Sequence, residues 1–184
     1  MKKYAFVIAI LALVIFASGC TTNQNQTSNQ FTVPTKTYSA NGIFFNYPDS
    51  WLITNTSMLN AVVSFGDPSS VDNSTRDVNT LVIIQKVAMQ PGMTLKQAFD
   101  LNFAKMATQN PNFQQIADTN TTVDGTTAYV DIHKIDVNGV QKEEKAVWIG
   151  KNDKIYVILC GALPNEFDSQ QANFDAIINS FHVQ

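Results

Sequence analysis

The dipeptide Asn138–Gly139 stands between two strand-like runs, Thr126 to Val137 and Val140 to Ile149. Both residues tolerate the positive φ that a two-residue hairpin turn requires, so the stretch predicts two long antiparallel strands joined directly. Other runs carry the same signal more briefly. Ile43-Phe44-Phe45-Asn46-Tyr47 is an aromatic strand stopped by Pro48, and Trp51-Leu52-Ile53 resumes after the turn Pro48-Asp49-Ser50. Ala61 to Phe65, the β-branched run Leu81 to Val87, and Lys154 to Ala162 add further strands, with Gly66 to Asn79 predicted as a long polar loop. Phe113 to Asp118 follows a break at Asn110–Pro111.

Two segments read as helices. Thr94 is placed as an N-cap with Gln97 three residues later, and Leu95, Phe99, Phe103 and Met106 recur at helical spacing behind it. The second runs from Asn165 or Glu166 to Phe181, with Phe167, Phe174, Ile177, Ile178 and Phe181 as its apolar stripe and Asp168 near its positive end. Strands joined by short turns imply an antiparallel sheet, and the helices must cover it. The class is therefore α+β, one domain over residues 37–184.

The 184 residues are 45% hydrophobic and include 12 Phe, enough for a sizeable core. Lys2 and Lys3 lie in a leader, and removing them leaves ten cationic against fifteen acidic residues, a net charge of −5. No basic cluster remains, so nucleic acid is excluded as an expected partner.

The leader comprises residues 1–19. Met1-Lys2-Lys3 is a short positive region, and Tyr4 to Ala17 is an apolar stretch of fourteen residues. A bilayer span needs about twenty, so the length fits an export signal instead. Ala17, Ser18 and Gly19, all small, precede Cys20, which resembles the lipobox of prokaryotic lipoproteins; Ala17 departs from the usual larger aliphatic residue. That resemblance implies a lipid on Cys20 and a mature chain beginning there, held at the outer face of the cytoplasmic membrane. Two buried chains, at roughly 0.8 kcal/mol per methylene, anchor a protein stably. Residues 20–36, mostly Thr, Asn and Gln with no apolar period, are predicted to be a flexible tether. Asn25, Asn55, Asn73 and Asn120 occupy Asn-X-Ser/Thr sequons and are candidate glycosylation sites in an exported chain.

Tyr38-x-x-x-Gly42-Ile43-x-Phe45-x-Tyr47-Pro48-x-x-Trp51 resembles the opening of PsbP-like domains. Leu81 to Val87, Thr94-Leu95-Lys96-Gln97, Thr122 to Ala128, Ile155 to Ile158, and the closing Ile177-Ile178-Asn179-Ser180-Phe181 continue the likeness to about His182. It implies an α-β-α sandwich around a central antiparallel sheet. It also implies a scaffold for binding other proteins, with no shared reaction and no functional residue to carry over. Lipid-anchored prokaryotic members, those of methanogenic archaea included, look most similar.

Chemistry is sparse. Asp131 and His133 fall on one face of a strand, with Asp136 opposite and His182 as the other histidine. The expected setting is a solvated strand face, with no metal, catalytic or cofactor site. Lys142-Glu143-Glu144-Lys145 is expected to be a charged sheet edge. Tyr47 and Trp51 are expected to serve the core rather than a ligand, and Cys160 to be a buried thiol. Asp67, Asp72 and Asp77 share a polar loop without the spacing or Gly of a calcium loop. No Gly-rich phosphate loop or G-x-S-x-G elbow is present. The function expected is a non-enzymatic, lipid-anchored envelope protein that binds another envelope protein. A solute- or ion-binding lipoprotein is the alternative, and an envelope hydrolase is less favoured.

Overall fold

Tight turns with left-handed residues determine how the sheet is built. The computed structural model describes residues 33–184. Cys20 and Asn25 lie outside that range. β1 (Thr35–Ala40) and β2 (Ile43–Pro48) are joined by Asn41–Gly42, both at positive φ. β6 (Gln114–Val123) turns through Asp124–Gly125 into β7 (Thr126–Val137), and β7 turns through Asn138–Gly139 into β8 (Val140–Lys151). Asn152–Asp153 makes the same turn from β8 to β9 (Lys154–Ala162). The positive φ at each turn matches the twist of the flanking strands, so four strands follow one another as a meander.

β3 (Leu52–Thr54), β4 (Ala61–Gly66) and β5 (Leu81–Ala88) complete a seven-stranded antiparallel sheet in the order β3-β4-β5-β9-β8-β7-β6. A second sheet of three strands has the order β1-β2-β10, where β10 is His182–Val183. β1 takes up Thr35 and Lys36, the last residues of the predicted tether. The polar segment after β4 is a loop, as its composition predicts, with one 3-10 turn at Pro68–Ser70.

α1 (Leu95–Gln109) begins at the predicted capping box: Thr94 accepts from the Gln97 amide, and Gln97 accepts from the Thr94 amide. α2 (Gln171–Ser180) follows a 3-10 turn at Phe167–Gln170. The helices cover opposite faces of the large sheet, α1 alone on one and α2 with the small sheet on the other. The α2 side holds the main core, in which Ile43, Phe45, Trp51, Phe65, Phe174 and Phe181 are all buried. Trp51 packs edge-on against Phe174, centroids 6.3 Å apart, and Tyr47 lies 4.3 Å from Phe65. Both aromatics therefore serve packing. Cys160 is wholly buried in this core, and burial pushes its thiol pKa upward.

The charged run of β8 is not an edge. β8 lies between β7 and β9, and the edges are β3 and β6. The hairpins on both sides of β8 enclose it, so Lys142 to Lys145 point up or down from an interior strand.

Candidate functional site

Register assembles the site on the α1 face. Across β6, β7, β8 and β9, Gln115 pairs with His133, His133 with Glu144, and Glu144 with Gly161. Asp131, two residues along β7, points the same way. Asp131 and His133 are completely buried, which corrects the expected solvated face. The reason is their company: Tyr129 and Ile135 share that side of β7, and α1 lies over it. Phe113 lies across the His133 ring at 5.1 Å, and Phe103 of α1 meets it edge-on at 6.1 Å.

The polar groups satisfy one another under this lid. His133 Nδ1 donates to Asp131 Oδ2, and His133 Nε2 donates to Glu144 Oε2 at 3.1 Å. Gln115 Nε2 donates to Asp131 Oδ1 at 3.2 Å. Burial alone would lower the imidazole pKa, but the hydrogen bonds to Asp131 and Glu144 outweigh it and lift it from 6.5 to about 9. Burial pushes the Asp131 carboxyl above its ordinary value against the pull of His133. With both ring nitrogens committed to carboxylates, His133 stores a proton and offers no lone pair to a substrate or metal. Glu144 is the member that reaches outward, with its side chain 14% exposed. Among the described residues no donor is bonded to its Oε1, which faces Gly161.

α1 packs over β7 and β8 through Phe99 on Tyr129 and Trp148, and its Leu95 and Ala98 pack against the cluster holding Ile155 and Val157 of β9, while Gln85 and Val87 of β5 stay partly open. The result is a groove of about 760 Å³. Its floor is Ile155, Val157 and Leu159 of β9 with Trp148, Glu144 and His133. Leu101 and Met106 of α1 form one wall, and Met58 and Leu59 of the β3–β4 connection form the other. Gln85 holds that connection by donating to the Leu59 carbonyl at 2.8 Å. Five of the nine large apolar side chains exposed among the described residues line this groove: Met58, Leu59, Val87, Leu101 and Val137. Such convergence sets the groove apart from singly scattered surface apolarity.

The other sequence candidates fall elsewhere. Asp136 is exposed and accepts from Asn112 at 2.5 Å. His182 is exposed and pairs with Asp124, far along the chain from His133. Asp124 also takes Lys151 and, at 3.0 Å, the Val183 amide. Burial alone would raise Asp124, but these partners hold it below the usual carboxylate range. Asp72 accepts from the Ser74 and Thr75 amides at 2.7 and 3.0 Å, and Asp67 from the Ser69 amide at 2.9 Å. Those loop carboxylates thus serve their own turns, and Asp72 is lowered to about 2, chiefly by Ser74. Asn55, Asn73 and Asn120 are all exposed.

Sequence reasoning missed Glu144 as a partner of His133. The signal was available, because a two-residue turn pairing Val137 with Val140 also places His133 opposite Glu144.

The profile of the family described as "PsbP-like protein" matches residues 5–183. A comparison with curated protein sequences returns no match. Among solved structures, the chain is similar to cyanobacterial PsbP (CyanoP) from Synechocystis sp. PCC 6803, with 19% identity over 82% of this chain and 92% of that one, TM-score 0.62. It is similar to LpqN of Mycobacterium tuberculosis, involved in cell envelope biogenesis, with 16% identity over 82% and 91%, TM-score 0.56. The Saccharomyces cerevisiae Ran-binding protein Mog1p is 13% identical over 82% and 96%, TM-score 0.56. At these identities the likeness is one of fold.

Proposed function

The chain belongs to the PsbP-like protein family, and from that premise we propose that it is an exported, lipid-anchored envelope protein whose domain binds another envelope protein without catalysing a reaction. The observation that carries the reading is the groove beside α1, on which exposed Met58, Leu59, Val87, Leu101 and Val137 converge. Leu59 is 79% exposed, an apolar exposure that a bound partner would relieve. The names of two structural neighbours, one Ran-binding and one involved in envelope biogenesis, support a binding role for the fold. The apolar leader, the small residues before Cys20 and the polar stretch after it support export and anchoring through a lipid on Cys20. In an archaeal source that glycosylates exported sequons, Asn55, Asn73 and Asn120 are exposed for modification.

Crosslinking in the native membrane tests the binding role. A photoreactive residue at position 59 should give a discrete adduct with one protein, and the same residue at position 122 on β6 should not. Equal labelling from both positions, or turnover by the purified protein that one substitution abolishes, would overturn it. Intact mass tests the anchor: a mature chain starting at Cys20 without added lipid mass would remove it.

A further inference from the structure

The groove has a chemical asymmetry that narrows what it can receive. Its lining is mostly apolar with Asn60, Gln85, Gln90, Asn102 and Lys105 among it, and its one carboxylate is Glu144, at the β7–β8 end beside buried His133. Two carboxylates, Asp131 and Glu144, flank one imidazole. A protonated imidazole therefore leaves one negative charge uncompensated, and Glu144 is the acid open to the groove. Lys142 lies within electrostatic reach of Glu144, but among the described residues no cation is bonded to Glu144 Oε1. Lys142 donates to the Asn79 carbonyl and side chain, Lys145 pairs with Asp175 on the opposite face, and Lys134 lies 3.6 Å from Glu143. Lys105, exposed on α1, is the one Lys or Arg lining the groove among the described residues.

We propose that the groove receives an apolar segment of a partner protein that carries one basic side chain, with the apolar residues along Val157 and Leu159 and the cation on Glu144 Oε1. The inference rests on the binding reading above and adds the chemistry of the occupant. A protein segment fits better than a free small amphiphile because exposed apolar side chains stand on both walls of the groove, Leu59 at 79% and Leu101 at 59% exposure, and an occupant must span the groove to cover both. A carboxylate in apolar surroundings gains most from a charged donor, because the low local dielectric strengthens the pairing.

The test uses the full chain and three blocked seven-residue peptides, Ser-Leu-Leu-X-Leu-Leu-Ser, with X as Lys, Gln or Glu. Binding is read from Trp148 emission, with W148F removing the signal and leaving that of Trp51. The Lys peptide should bind about tenfold tighter than the Glu peptide or better, the size of one charge-assisted hydrogen bond. In E144Q the Lys preference should disappear, and L59D should weaken all three peptides. Should E144Q unfold, the ranking of the three peptides on the unmutated chain decides alone. If none of them moves Trp148, both the groove reading and this inference fail. If all three bind equally, the groove reading survives and the charge pairing is wrong. A Glu peptide that binds tightest would assign the preference to Lys105 and overturn the proposal. Displacement of the Lys peptide by dodecylamine at lower concentration would overturn it in favour of a small cationic amphiphile.

Discussion

Raising the pH should loosen this domain chiefly through one side chain. In the folded chain His133 is held protonated between Asp131 and Glu144, its pKa lifted from 6.5 to about 9. A pKa raised by folding contributes stability that is complete below 6.5 and is lost as pH climbs through 9. A shift of about 2.5 units at ~1.36 kcal/mol per unit bounds the contribution near 3 kcal/mol. The ring is fully buried, so solvent screening does not erode that figure, and the raised Asp131 carboxyl, whose contribution also falls with rising pH, does not offset the loss. A net loss of about 2–3 kcal/mol between pH 6.5 and 9.5 is the expected outcome. Urea unfolding followed by circular dichroism at half-unit pH intervals measures it. H133Q keeps a donor in place without titrating, so its stability should fall much less across the window, by only the share that the buried Cys160 thiol loses as pH nears its free value of 9.0. Proton NMR of the His133 ring should show a midpoint near 9. A midpoint at or below 6.5, or equal pH slopes for both proteins, would refute the reasoning.

Three further outcomes follow from packing. F99A removes a ring that is 1% exposed and packed against Phe103, Tyr129 and Trp148, and should cost about 3–5 kcal/mol in urea unfolding. T94A dismantles the capping box of α1 and should cost about 1 kcal/mol by the same measurement. A Cβ at Gly66 would sit 2.7 Å from Val78 Cγ1, so G66A should cost about 1–3 kcal/mol, and V78A in the same chain should recover part of it.

The meander and both helices were legible because local chemistry dictates them. Asn138–Gly139 requires a hairpin, and Thr94 with Gln97 requires a helix start, wherever the rest of the chain goes. The family resemblance, carried by Tyr38 to Trp51 and the closing helix, named the same sandwich. The site was legible only in pieces. Asp131 and His133 were placed on one face correctly, but their burial depends on α1 crossing above them, a tertiary fact with no local signature. Glu144 looked like part of a charged edge because composition cannot say which strands lie on either side. The small sheet escaped because β10 is two residues long, too short for any periodicity. The groove escaped for a related reason: it is an area α1 covers only in part, and a helix period does not say which strands lie beneath it.

The pairing of β10 with β2 also sets an order of events. His182 and Val183 bond to Phe44 and Ile43 across nearly the whole chain, and Asp124 accepts from the Val183 amide. Any process that delivers the polypeptide from its amino end, a ribosome or a translocation pore, releases β1 and β2 long before β10. Until then the N-terminal hairpin keeps a bare strand edge, and Phe45 lacks Phe181, which lies 6.3 Å away in the finished core. The domain therefore closes last at its two ends together, with a high separation of contacts that slows folding. A chain shortened by three residues would lose that closing strand, and its unpaired β2 edge would be open to other chains.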